Sequence, residues 1–140
     1  MANELHVKME PNLSALGSIA ARVESFGEEN ELPAQTNFVI SLALDELITN
    51  TVMHGRFTQA AEPEITLHLE VREQKVVLVM ETNEDRFDPT VDTDPDTSSD
   101  LEDRNIGGLG LHLVKSMADR FSYEFVCGIN RLTLEYDLVS

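Results

Sequence analysis

Residues 104–111 read Arg104-Asn105-Ile106-Gly107-Gly108-Leu109-Gly110-Leu111, three close glycines set where a polar stretch gives way to helical spacing. The apolar stripe Leu111, Val114, Met117 and Ala118 predicts a helix opening around Gly107, Gly108 and Gly110. A backbone without Cβ atoms can be approached closely, and the free amides of a helix start point at an anion, so polyphosphate is the natural ligand. The competing reading is packing alone, with the glycines letting a helix lie close on a sheet. Arg104 also has two readings, a cation set against phosphate or a solvated side chain beside an acidic run.

Before this segment, residues 83–105 are rich in Asp, Pro, Ser and Thr, too polar to build core and longer than most connections, which predicts a mobile surface loop. Before the loop, Ile65, Leu67, Leu69 and Val71 alternate with polar residues and predict a strand over 64–71. The apolar run 76–80 reads as a buried strand, joined to the first through Glu73, Gln74 and Lys75 as an antiparallel hairpin. After the glycine helix, strands are expected over 122–126 and 131–138, with the turn at Gly128, Ile129 and Asn130.

At the other end of the chain, Leu5, Val7 and Met9 alternate in a strand that stops at Pro11. Asn12 then caps a helix carrying Leu13, Leu16, Ile19, Ala20 and Val23, which the polar run 27–31 ends. Pro33 opens a second helix through Phe38, Leu42, Ile48 and Val52 towards Gly55. This order does not alternate as a doubly wound parallel sheet does. The expected fold is α+β, a two-layer sandwich with a mixed, mostly antiparallel sheet and helices on one face. With 140 residues, one domain over 1–140 is expected.

The second helix contains Asp45-Glu46-Leu47-Ile48-Thr49-Asn50, with His54 four residues further on. That spacing sets Glu46, Asn50 and His54 along one helical side. An amide oxygen of Asn50 can complete the shell of a magnesium ion otherwise held by phosphate oxygens and water. Glu46, one turn away, can then accept the proton of an attacking hydroxyl. The bland alternative is a solvated helix face. His54 either lines the same pocket or serves as a helix-end histidine favoured by the dipole.

Twenty-six acidic against ten basic residues give a formal charge of −16. Such a surface repels phosphate backbones and anionic lipid, so neither nucleic acid nor membrane is an expected partner; it suits solubility or a basic protein partner. No stretch approaches the roughly 18 apolar residues of a membrane span, and no leader pattern opens the chain, so a cytoplasmic protein is expected. The lone Cys127 fits a reducing compartment or a packed core thiol. His6, His54, His68 and His112 lie far apart without a cysteine cluster, so no structural zinc site is expected, and His68 reads as a strand surface residue.

The asparagine-bearing helix, the hairpin, the step Phe87-Asp88-Pro89, the long loop and the run Gly107-Gly108-Leu109-Gly110-Leu111-His112-Leu113-Val114 together resemble the GHKL ATPases. Within them, the chain is similar to the anti-sigma serine kinases over nearly its whole length, including the closing pattern Tyr123, Gly128, Asn130, Arg131, Leu132 and Thr133. The resemblance implies the histidine kinase-like ATPase fold and ATP/ADP with Mg2+ as cofactors. It implies Glu46 as catalytic base, Asn50 as magnesium ligand, Gly107, Gly108, Leu109, Gly110 and Leu111 around the phosphates, an ATP lid over about 89–106, and Thr133 near the adenine. It also implies a bacterial homodimer that binds a sigma factor and phosphorylates a serine of a STAS-type anti-anti-sigma factor. The family's Asp-x-Gly motif before the Phe-Asp-Pro step is absent here, where the sequence reads Met80-Glu81-Thr82-Asn83-Glu84-Asp85-Arg86-Phe87 without a glycine. Thr82 or Asn83 stands where the adenine-binding aspartate is expected, with Glu81 or Glu84 as substitutes after a register shift. Two other readings stand beside this one. One is a non-catalytic partner-switching scaffold, and the other is a histidine-kinase core, which would need a helix pair where the first eleven residues read as a strand.

Overall fold

The period-two stretches resolve as strands β1 (Glu4–Met9) and β2 (Ile65–Arg72), and the continuous apolar run as β3 (Lys75–Thr82). The computed structural model describes residues 3–87 and 108–138. Its helices are α1 (Leu16–Glu29), entered through a 3-10 turn at Leu13–Ala15, α2 (Ala34–His54) and α3 (Gly108–Met117). Strands β4 (Arg120–Val126) and β5 (Ile129–Asp137) close the domain. Among the described residues no helix is long and apolar enough to cross a membrane.

The strand order is β1-β2-β3-β5-β4, and every neighbouring pair is antiparallel. The two-layer α+β sandwich matches the expectation, and among the described residues every strand pair of the sheet is antiparallel. The reason is topological: β4 runs parallel to β3, and β5 inserts between them, so no parallel pair shares hydrogen bonds.

Strand parity decides which side chains meet the helices. Ile65, Leu67 and Leu69 of β2, Val76, Leu78 and Met80 of β3, and Leu134 and Tyr136 of β5 point into the core with Ile40, Leu44, Leu47 and Ile48 of α2. The opposite sheet face carries cross-strand ion pairs instead. Arg131 Nε donates to Glu81 at 2.6 Å, and Arg120 Nε donates to Glu135 at 2.6 Å.

Three local readings are corrected. Helix α1 runs on past Gly27, because that glycine marks a close approach: a Cβ there would lie 1.9 Å from Asn37 Oδ1 of α2. The stop comes later, where Glu31 takes φ 53° and the Leu32 and Glu31 amides donate to the Gly27 and Glu28 carbonyls. The last hairpin turns on Cys127 and Gly128 alone, both at positive φ, which matches the strands' twist and leaves Ile129 and Asn130 inside β5. Cys127 is thus an exposed turn residue and not a packed thiol.

Tyr136 is 3% exposed, and its hydroxyl has no hydrogen-bond partner among the described residues. Replacing it by Phe removes an unsatisfied buried hydroxyl at nearly constant shape. Tyr136→Phe is expected to hold or raise stability by up to about 1 kcal/mol, measured by urea denaturation.

Candidate functional site

Helix α2 presents Glu46, Asn50 and His54 on successive turns, and α3 crosses beside the first of them. A Cβ on Gly110 would fall 2.1 Å from Glu46 Oε2 and 2.8 Å from its Cδ. Close packing is therefore what Gly110 provides, and the group it admits is the carboxylate itself. The two halves of the predicted constellation meet there.

One turn along α2, Asn50 Oδ1 is buried and accepts no hydrogen bond from any described residue. An orphaned buried acceptor costs about 1–3 kcal/mol, so it points to a ligand. A neutral amide oxygen is a donor suited to a hard divalent cation, so Asn50 Oδ1 fits magnesium.

Asn50 also lines a narrow cleft of ≈ 20 Å³, room for about one water molecule, between α2, the start of α3 and the ends of β3 and β5. Leu47, Met80, Leu111 and Leu132 form its apolar wall, and Thr51, Thr82, Glu84, Tyr123 and Asn130 supply its polar groups. Towards the end of α2 the cleft continues past His54, which is exposed at its mouth, and Gly55.

Thr82 ends β3 on the core-facing parity and lines the cleft. Its hydroxyl donates at 2.7 Å to Oε2 of Glu84, which is 8% exposed. A carboxylate thus lies against the position where the aspartate was expected, supplied from two residues further on. Burial raises the Glu84 pKa above 4.5, opposed by hydroxyl hydrogen bonds from Thr82 and Thr51 and reinforced by the nearby charge of Asp85. Gly55 leaves the room for it, since a Cβ there would sit 3.0 Å from Glu84 Oε1.

Sequence reasoning missed Asn130 as part of the site. It is 5% exposed; its Nδ2 donates to the Glu84 carbonyl at 2.9 Å, and its Oδ1 accepts from the Phe87 amide at 3.0 Å and from the Tyr123 hydroxyl. This one amide holds the turn that aims Glu84. A polar residue sharing the parity of Leu132, Leu134 and Tyr136 was the available signal.

Three expected positions lie elsewhere. Asn83 does not face the cleft: its side chain accepts from the Glu64 amide at 2.8 Å and donates to the Glu62 carbonyl at 2.9 Å, tying the connection before β2 to the end of β3. Thr133 pairs with Val79 and Ser122 on the outer sheet face, because odd positions of β5 point away from the helices. Glu81, the other substitute, is turned outward to Arg131 by the same parity. Gly108 opens α3. Arg104, Gly107, the Asp88-Pro89 step and the expected lid 89–106 lie outside the described residues.

A helix carrying an acid and a buried amide oxygen that no described residue satisfies, facing a glycine-started helix over an antiparallel sheet, suits an ATPase domain. The chain belongs to the histidine kinase-like ATPase domain family, whose model matches residues 9–135. It is 34% identical over 101 residues to the serine/threonine-protein kinase BtrW of Bordetella bronchiseptica, covering 72% of this chain and 70% of that protein. In fold it is similar to the crystal structure of the RsbU and RsbW domains of Rv1364c from Mycobacterium tuberculosis, with a TM-score of 0.63 at 14% identity. That match covers 98% of this chain, which spans a third (33%) of the longer one.

Proposed function

We propose that this protein is an ATP-dependent protein serine kinase of a bacterial partner-switching system, acting in the cytoplasm on a STAS-type anti-anti-sigma factor and holding a sigma factor as a homodimer. The observation that carries the reading is the contact of Glu46 with Gly110, one helical turn from the orphaned Asn50 Oδ1. The kinase relative supports it, as does the acidic surface, which suits a basic partner.

In this reading the narrow cleft widens to take the adenine, with Glu84 accepting a hydrogen bond from its amino group, and the triphosphate runs past Asn50 to the amides opening α3. Asn50 Oδ1 would hold magnesium, which when bound would neutralise charge on the phosphate oxygens. Glu46 accepts the proton of the partner's serine hydroxyl as that oxygen bonds to the γ-phosphorus, and the bond to the β-γ bridging oxygen breaks to release ADP. Positioning and electrostatics account for most of the rate.

The sequence feature favouring a non-catalytic scaffold is the departure at Thr82 and Asn83, and the Glu84 carboxylate that accepts from Thr82 supports the kinase reading beside it.

Titration calorimetry with ATP and Mg2+ is the direct test. The native protein is expected to bind; Asn50→Ala weakens binding by about tenfold or more, or makes it independent of Mg2+. Loss of magnesium dependence with unchanged folding supports the site, whereas a native protein that binds no nucleotide returns the scaffold reading.

A further inference from the structure

Beta pairing brings together groups that lie far apart in the chain. In the antiparallel register of β1 with β2, His6 stands directly opposite His68, and Glu4 lies two residues before His6 on the same outer face. Glu4 Oε1 is 3.1 Å from His68 Nε2 and 3.6 Å from His6 Nε2, and the two imidazole rings stack at 4.1 Å. We infer that Glu4, His6 and His68 form a binding site for one divalent transition-metal ion of the zinc class, separate from the nucleotide cleft.

The geometry favours such an ion. A tetrahedral zinc centre with bonds of about 2.0–2.1 Å has ligand-to-ligand edges of about 3.3–3.4 Å. The two observed oxygen-to-nitrogen distances bracket that value, and all three ligand atoms lie within 4.8 Å of one another. Two imidazoles and a carboxylate match the borderline metals Zn2+, Ni2+ and Cu2+ and are a poor set for Mg2+, which takes oxygen ligands. The stacked rings must turn edge-on to share an ion. His6, whose side chain is 66% exposed, has the space to do so.

Charge favours it too. Lys8 and Arg72, the cations of β1 and β2, pair with Glu64 at 3.2 Å and with Glu70 at 3.6 Å. Glu70 itself sits opposite Glu4 and adds a second carboxylate beside the site. The remaining coordination position faces solvent and takes water. An ion held here clips the edge strand β1 to β2, joining positions 64 residues apart.

Dialysed protein, titrated with ZnCl2 in excess Mg2+ and without nucleotide, tests the site. The native chain is expected to take up one more equivalent of zinc than the double variant His6→Ala/His68→Ala, with a rise in melting temperature of roughly 5–10 °C at saturating zinc. Glu4→Gln weakens uptake by about tenfold. Equal uptake by native protein and double variant assigns the zinc to the acidic surface and overturns the inference. Circular dichroism of the metal-free variant checks its fold. Should it fail, imidazole NMR of the native protein decides: zinc shifts the signals of His6 and His68 before those of His54 and His112, or the inference falls.

Discussion

Glu46→Gln leaves ATP affinity within about twofold of the native value and lowers phosphotransfer to a partner serine by about 10²–10⁴-fold. The amide keeps the size of the carboxylate and its packing on Gly110 but cannot take a proton. Single-turnover transfer from radiolabelled ATP separates the two quantities; transfer at the native rate would remove Glu46 from its role as base. Gly110→Ala is the companion experiment. The new methyl group would sit 2.1 Å from Glu46 Oε2, the movable end of a side chain, so the carboxylate is displaced while the helices stay packed. Folding stability should change by less than about 1 kcal/mol, since alanine also favours the helix, yet transfer should fall at least tenfold. A variant as active as the native protein would show that the carboxylate's position against α3 does not matter.

Glu84→Gln is expected to separate stability from binding. Because burial raises the Glu84 pKa above 4.5, the folded protein holds this proton more tightly than the unfolded chain does. The resulting destabilisation is absent below about pH 4.5 and grows as pH rises through the folded-state value. Glu84→Gln should therefore melt higher than the native protein at pH 7.5, with the gap closing towards pH 4.5. ATP affinity should move the other way, weakening by about 10–100-fold as a hydrogen bond to a charged acceptor is lost. Unchanged ATP affinity would detach Glu84 from base recognition without touching the stability result. The same residue would then be a buried acid with no ligand.

Much of the fold was legible because strands and helices write their periods into the chain. Leu5-Val7-Met9 and Ile65-Leu67-Leu69 carry period two, and the two long helices carry their apolar stripes. Boundaries were legible only where a familiar residue marked them. Glu31 ends α1 in a left-handed conformation usually given to glycine, and the real glycine four residues earlier serves contact with Asn37. Glu73 and Gln74 likewise turn the β2–β3 hairpin at positive φ without a glycine.

The local arrangement of the candidate site was legible as well: Glu46, Asn50 and His54 on one side of a helix, and glycines at the start of another. The end of the cleft beside β3 was not. Which of Glu81, Thr82, Asn83 and Glu84 reaches the cleft depends on strand parity at the end of β3 and on how the chain turns afterwards, and Asn130 sets that turn from a strand 46 residues away. Thr133 was misplaced for a similar reason, one residue of register exchanging the two faces of a sheet.

By itself the sequence determined what each segment is and which side chains a single helix or strand can align, because those relations repeat every few residues and need no partner. Tertiary structure decided which segments meet: that Gly110 stops against Glu46, that Glu84 rather than Asn83 enters the cleft, and that His6 faces His68. Contacts of that kind depend on strand order and pairing register, which only the packing of the whole core selects.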